Sequence, residues 1–159
     1  MTETIAYHAP RIFDGTNWHD TAALLVMADR VTAIVPQADA PAGVGLDHAL
    51  VPGFIDLQVN GGGGVLFNND PTPTGIAAIC EAHARLGTTA TMVTLITDTA
   101  AVTARAIAAG QGAAYPGFLG LHLEGPHLAA SRKGTHDPAL IRAMDDADLA
   151  ALVQAAGRL

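Results

Sequence analysis

Two short aliphatic runs, Ala23–Met27 and Val31–Val35, stand on either side of Ala28-Asp29-Arg30. Apolar runs split by so brief a polar break predict a pair of antiparallel strands joined by a tight loop. Thr4–Phe13 predicts a third strand, closed by Asp14-Gly15. Pro36–Gly45, rich in Pro, Ala, Gly and Asp, predicts a connector. Residues 1–50 therefore read as a small β domain, part of a β-sandwich, that covers something larger and carries no catalytic constellation of its own.

From Val51 the pattern changes to alternation of strands and helices. Phe54–Val59 is an apolar strand bounded by Pro52-Gly53 and by the run Gly61–Gly64. Thr74–Leu86 places Ile76, Ile79, Cys80, His83 and Leu86 on one helical face, with Gly87 suited to close the helix. Thr88–Thr97 is dense in β-branched residues without polar alternation, which predicts a strand buried on both faces. Asp98 or Thr99 is positioned to cap a helix ending near Gly110, and Gly117–Glu124 predicts the next strand. Asp137-Pro138 reads as a helix start, cap followed by first-turn proline. Asp145-Asp146 opens a further helix that closes at Gly157.

The class is thus α/β, with about three β/α units over residues 51–159. A complete (β/α)8 TIM-like barrel needs about 250 residues. Three strands of eight cannot close, and their edges stay open. Two expectations follow from the pattern: an incomplete barrel that is the N-terminal part of a longer protein, or a small open α/β sheet that stands alone.

Composition narrows the functional classes. Half of the 159 residues are hydrophobic and 14% are charged, enough apolar material for a core and outside the disordered class. The net charge of −7 argues against nucleic acid or an anionic membrane surface as partner. A lone Cys80 forbids an internal disulfide and points to a reducing, cytoplasmic setting. Met1–Pro10 has no secretory signal pattern, and the longest aliphatic stretch, Ala22–Ala28, is too short to span a bilayer.

The chemistry concentrates in two strings, Pro52-Gly53-Phe54-Ile55-Asp56-Leu57-Gln58-Val59-Asn60-Gly61 and Gly120-Leu121-His122-Leu123-Glu124-Gly125-Pro126. Each is an apolar run that stops at chelating or polar side chains followed by glycine, the way a parallel barrel presents function at the carboxyl ends of its strands. His122 and Glu124 are two apart on a strand and share a face. The pair is a metal or acid–base site; alternatively His122 is a hydrogen-bonded core histidine and Glu124 caps the following turn. An unpaired glutamate is almost never fully buried, which favours function for Glu124. Gly61–Gly64 lacks the spacing of a nucleotide-binding loop and reads as a turn close to the site. In the polar loop Ser131–Pro138, Arg132 and Lys133 read as a solvated charge pair. His8, His19, His48 and His83 read as surface or helix-packing residues, and no role attaches to His127.

In these strings, in Val65-Leu66-Phe67-Asn68 and in Lys133-Gly134-Thr135-His136-Asp137-Pro138, the chain resembles the N-terminal part of the N-acetylglucosamine-6-phosphate deacetylases of the amidohydrolase superfamily. The resemblance covers about residues 22–142 and is strongest at 51–69 and 117–138. It implies a metal-dependent barrel hydrolase that converts N-acetylglucosamine 6-phosphate and water into glucosamine 6-phosphate and acetate in amino-sugar catabolism. It implies Glu124 as metal ligand, with Gln58 beside it. Many amidohydrolases carry two histidines where this chain has Gln58-Val59-Asn60. An amide oxygen is a much weaker ligand than imidazole, so one divalent metal per subunit is expected, zinc first, with iron, cobalt or manganese as alternatives. The resemblance further implies His136 as the group contacting the acetamido carbonyl, and Thr135, Asn60 and Gly61 lining the sugar site. Two histidine ligands and an aspartate acting as base belong to later strands of the family and have no counterpart in these residues. The implied partners are the phosphorylated amino sugar, a complementary C-terminal part of the same protein and further copies in a homo-oligomer. The chain alone is expected to be inactive. The rival reading is a self-contained small α/β ligand-binding module; a relative acting on a cyclic amide fits less well, because such enzymes usually keep the paired histidines.

Overall fold

The computed structural model describes residues 3–156, which divide into two compact units on either side of Pro52/Gly53. The first unit is built on β1 (Thr4–Phe13), β2 (Trp18–Met27) and β3 (Arg30–Pro36), followed by a 3-10 turn (Gln37–Asp39) and the short β4 (Val44–Gly45). They form one sheet in the order β3-β2-β1-β4. The β2/β3 hairpin closes at Met27↔Arg30, leaving Ala28-Asp29 as a two-residue turn with Ala28 at φ 57°, the left-handed backbone such turns demand. Ala9, Ile12 and Ala22 are buried, with Leu24, Ile34, Leu46 and Leu50 packed against them. The expected hairpin and the Thr4–Phe13 strand are both present; β2 starts earlier than its aliphatic run because Trp18–Ala22 continues the ladder against Phe13–Ala9.

The second unit begins with β5 (Phe54–Val59). A small hairpin, β6 (Gly61–Gly62) and β7 (Val65–Leu66), leads into α1 (Pro73–Ala84). Then come β8 (Thr88–Ile96), α2 (Ala100–Gly112), β9 (Phe118–Glu124), a 3-10 turn (Ala130–Arg132) and α3 (Asp146–Ala155). β5, β8 and β9 form a parallel sheet in that order, with β8 central. Among the described residues the sheet is open and no barrel is closed.

Thr72 caps α1, its hydroxyl accepting from Gly75 N at 3.0 Å, and Pro73 supplies the fixed first-turn φ. The helix lays Ile76, Ile79 and Cys80 into a core completed by Val59, Phe67, Val93, Leu95, Ala106, Ala109 and Leu121. Leu86 does not join them. The helix ends at Ala84, and Leu86 lies in the closing turn, 80% exposed, before Gly87 at φ 96° redirects the chain into β8. Gly87 N does bond to Ala84 O at 3.0 Å, so it helps close the helix as expected. Thr99, rather than Asp98, caps α2, which runs past Gly110 to Gly112. On β8, Thr91, Val93, Thr94 and Leu95 are all buried, as a strand covered on both faces requires.

The helix expected from Asp137-Pro138 is absent. Asp137 caps a single turn, its carboxylate accepting from Ala139 N at 2.9 Å and its carbonyl from Leu140 N at 3.1 Å. Arg142 N then bonds to Pro126 O at 3.1 Å. That contact draws the chain back to the loop after β9, so the turn cannot propagate. The next helix, α3, starts where expected, with Asp145 and Asp148 bonding each other's backbone in a capping box. Its expected end at Gly157 lies outside the described residues. Asp148 also forms a two-pronged ion pair with Arg142, whose carbonyl is contacted by His127 Nδ1 at 3.2 Å. His127 thus has a structural partner that its sequence position did not announce. No described helix is long and apolar enough to cross a membrane.

Phe67, fully buried at 0% exposure, and the exposed Leu86 separate core from surface. Phe67→Ala should lower unfolding free energy by about 3–5 kcal/mol. Leu86→Ala should stay within about 0.5 kcal/mol. Urea midpoints of the two variants check the assignment. The Arg142 hydrogen bond, aided by Asp145 N–H and opposed by desolvation, holds the Asp148 carboxyl well below its ordinary value of 3.8. A depressed folded-state pKa means stability present above 3.8 and lost as pH falls toward the folded value. Asp148→Asn at neutral pH should therefore raise amide exchange in α3 without changing β8, and should remove the extra opening that wild type shows on acidification. Equal α3 protection in both proteins would show that the pair contributes nothing.

Candidate metal and substrate site

The carboxyl ends of β5, β8 and β9 deliver the site. β8 and β9 are in register from Met92↔Gly120 to Ile96↔Glu124, which sets Glu124 beside the last residue of the central strand. On β5 the pairing passes from Asp56↔Thr91 to Val59↔Val93, so β5 spends one residue more than β8 over that interval. Such a bulge re-aims side chains and is common beside active sites. The Asp56 carboxylate takes the Gln58 N–H at 3.1 Å within that bulge.

Gln58 Nε2 then donates to Glu124 Oε2 at 3.1 Å, and His136 Nε2 lies 3.3 Å from Glu124 Oε1. Each carboxylate oxygen thus faces one nitrogen. Glu124 keeps 31% of its side chain exposed while His136 keeps only 6%. Burial of a histidine from so polar a loop has a visible cause. The 3-10 turn and the bond from His136 N to Lys133 O at 3.0 Å fold the loop back over the strand ends. There the ring meets Thr97, whose hydroxyl is 2.7 Å from His136 Nδ1.

The other expected residues are placed less centrally. Asn60 gives its carbonyl to Phe67 N at 3.0 Å and is half-buried. Gly61 accepts from His83 Nε2 at 3.0 Å, so the helix histidine pins the turn after β5. A side chain at Gly61 would strike the Val65 carbonyl at 2.3 Å, which explains glycine in that hairpin. Thr135 is exposed beside His136. His122 Nδ1 pairs with the buried Thr94 hydroxyl at 3.2 Å, the hydrogen-bonded core arrangement rather than a contact to Glu124. Among the described residues no group of three His, Cys, Asp or Glu side chains is arranged to hold a metal ion.

Sequence reasoning missed two supports. One is Thr97, which looked like no more than the last residue of an apolar strand. The other is Asn68, whose amide donates to Ile96 O at 3.1 Å and Asp98 Oδ2 at 2.8 Å while accepting from Ile96 N at 3.2 Å. That side chain clamps the segment after β7 to the carboxyl end of β8. A polar residue directly after the buried Phe67 was the available signal, and it could not name its partner.

No protein-family model matches the chain. It is 45% identical over 100 residues to an N-acetylgalactosamine-6-phosphate deacetylase of Shewanella sp. (strain ANA-3), covering 61% of this chain and 25% of that protein. It is 32% identical over 127 residues to an N-acetylglucosamine-6-phosphate deacetylase of Haemophilus influenzae, covering 76% of this chain and 33% of the relative. Among solved structures, the N-acetylglucosamine-6-phosphate deacetylase of Pasteurella multocida superposes with a TM-score of 0.84 at 30% identity, covering 99% of this chain and 43% of that one. A Mycobacterium smegmatis N-acetyl-D-glucosamine-6-phosphate deacetylase, solved as a mutant with N-acetyl-D-glucosamine-6-phosphate, matches at a TM-score of 0.82 and 29% identity over 96% of this chain and 40% of its own. The chain spans 25% to 33% of the length of these curated relatives. An open three-stranded sheet with a glutamate at the end of β9, matched along nearly its whole length by those structures, makes this chain homologous to the N-terminal portion of the N-acetylhexosamine-6-phosphate deacetylases of the amidohydrolase superfamily.

Proposed function

We propose that these elements supply the N-terminal part of a metal-dependent active site that hydrolyses N-acetylglucosamine 6-phosphate to glucosamine 6-phosphate and acetate. The observation that carries this reading is the strand-end Glu124, with Gln58 and His136 converging on its two oxygens. A half-exposed carboxylate at such a position suits a divalent cation, zinc first and iron, cobalt or manganese as alternatives. When bound, such an ion supplies Lewis acidity to an amide carbonyl and makes water a usable nucleophile near neutral pH.

Glu124 is the one strong ligand in this set. Gln58 presents its amide nitrogen to that carboxylate, and only its oxygen end could face a cation, weakly. A catalytic zinc normally takes three protein ligands and keeps one position open. The reading therefore requires further ligands and a base from protein outside the described residues, consistent with relatives of greater length. Within this chain, His136 donates to the acetamido carbonyl oxygen as charge develops on it, a role suited to a ring held rigid by burial. Thr135, exposed next to it, and the turn at Asn60-Gly61 border the sugar.

A second reading of the substrate, N-acetylgalactosamine 6-phosphate, is favoured by the 45% identity to a deacetylase of that name. The two sugars differ in configuration at C4, away from the acetamido group, so the roles of Glu124 and His136 are the same for both.

Kinetics of the intact protein on both sugar phosphates decide the substrate. Glu124→Gln should lose the metal and all turnover with an unchanged circular dichroism spectrum; unchanged metal content would remove Glu124 from the site. His136→Gln should retain the metal and lower kcat by about 10²–10³, with KM comparatively unaffected. Normal kcat with a lowered melting temperature would make His136 a structural residue. Binding of either sugar phosphate without turnover in the intact protein would favour the ligand-binding module.

A further inference from the structure

Thr97 sits one residue beyond β8, is only 6% exposed, and addresses a single atom, His136 Nδ1, through two of its own groups. Its hydroxyl is 2.7 Å from that nitrogen and its backbone N–H points at the same nitrogen from 3.4 Å. A backbone N–H can only donate. It cannot face another N–H, so Nδ1 presents its lone pair and the neutral ring carries its proton on Nε2. Nε2 is the atom turned toward Glu124 Oε1, at 3.3 Å. We infer that Thr97 is the positioning residue of this site: it fixes the tautomer and orientation of His136 so that an N–H is aimed at the reacting face.

Gly125 supports this independently. A Cβ there would fall 2.1 Å from Thr97 Oγ1, and Gly125 lies at φ 93°. The residue directly after Glu124 is thus kept bare where the Thr97 hydroxyl must stand. That hydroxyl also lies 3.4 Å from the Glu124 carbonyl oxygen, but its single proton goes to the nearer His136 Nδ1, so it is the histidine that it holds. Which ring nitrogen holds the proton is set by the hydrogen bond made at the other. Outer partners that orient a functional imidazole are commonly worth about 10–100-fold in activity when removed.

The inference rests on the reading of His136 as hydrogen-bond donor to substrate, but its direct test needs no substrate. The ring 15N signals of the intact protein are recorded at a pH where imidazole is neutral, with His136 picked out from the other histidines by its loss in His136→Asn. Wild type should show a protonated Nε2 and an unprotonated Nδ1. The backbone N–H survives in Thr97→Val but, at 3.4 Å against 2.7 Å for the hydroxyl, is too long to hold the ring by itself. This nearly isosteric variant should therefore move the signals toward a mixture of tautomers, and Thr97→Ser should restore them. In the deacetylase assay Thr97→Val should lower kcat about tenfold or more with KM and metal content little changed, and Thr97→Ser should recover most of it. A protonated Nδ1 in wild type overturns the inference whether or not the valine variant folds, as do unchanged ring signals and kcat in a folded Thr97→Val. The expected wild-type and variant ring signals in a protein without deacetylase activity would support the positioning role while removing the proposed function.

Discussion

Strand β8 has a hydrogen-bonded neighbour on each side, and the parts of the candidate site are anchored, directly or at one remove, to its carboxyl end. Its buried Val93 and Leu95 meet the helical layer, which also buries Ile76, Ile79, Ala106 and Ala109. Burial of apolar area at about 25 cal/mol per Å² is what holds the strand in place. Once it is fixed, Ile96, Thr97 and Asp98 become rigid attachment points. Asn68 ties the segment after β7 to Ile96 and Asp98, while Thr97 ties down His136.

The polar side of the site obeys a different constraint. A buried polar group must find a partner or lose about 1–3 kcal/mol. His136 meets it by facing Thr97 on one nitrogen and Glu124 on the other. Glu124 escapes the cost of full burial by staying partly solvated while both oxygens face donors. A carboxylate in that condition is available to a cation without first abandoning a tight ion pair. Asp148 is the contrast: locked to Arg142, it serves the attachment of α3 and offers nothing to the site.

Among the described residues β5, unlike β8, has one hydrogen-bonded neighbour, and Phe54, Ile55 and Leu57 are 70%, 67% and 58% exposed. Its ladder shifts between Asp56 and Val59, and Gln58 turns toward Glu124. The bulged strand therefore supplies one part of the site, and the central strand supplies its fixed reference.

Much of this was legible along the chain. Thr4–Phe13, the hairpin about Ala28-Asp29, Phe54–Val59 and the buried run of β8 follow from local periodicity and turn chemistry, which act over a few residues. Glu124 stood out because a glutamate ending an apolar strand has no ordinary packing role. The failures are those of local rules meeting distant contacts. Asp137-Pro138 has the chemistry of a helix start, yet Pro126 O claims Arg142 N and ends the turn. Leu86 keeps the helical spacing, yet the helix closes before it. Gln58 meets Glu124 across 66 residues and Thr97 meets His136 across 39, and no window of sequence holds both members of either pair. Strands, caps and a chelating strand end are properties of neighbours in the chain. Which donor faces which oxygen, and which nitrogen of His136 carries the proton, exist only once packing against β8 has brought those distant residues within 3.3 Å of one another.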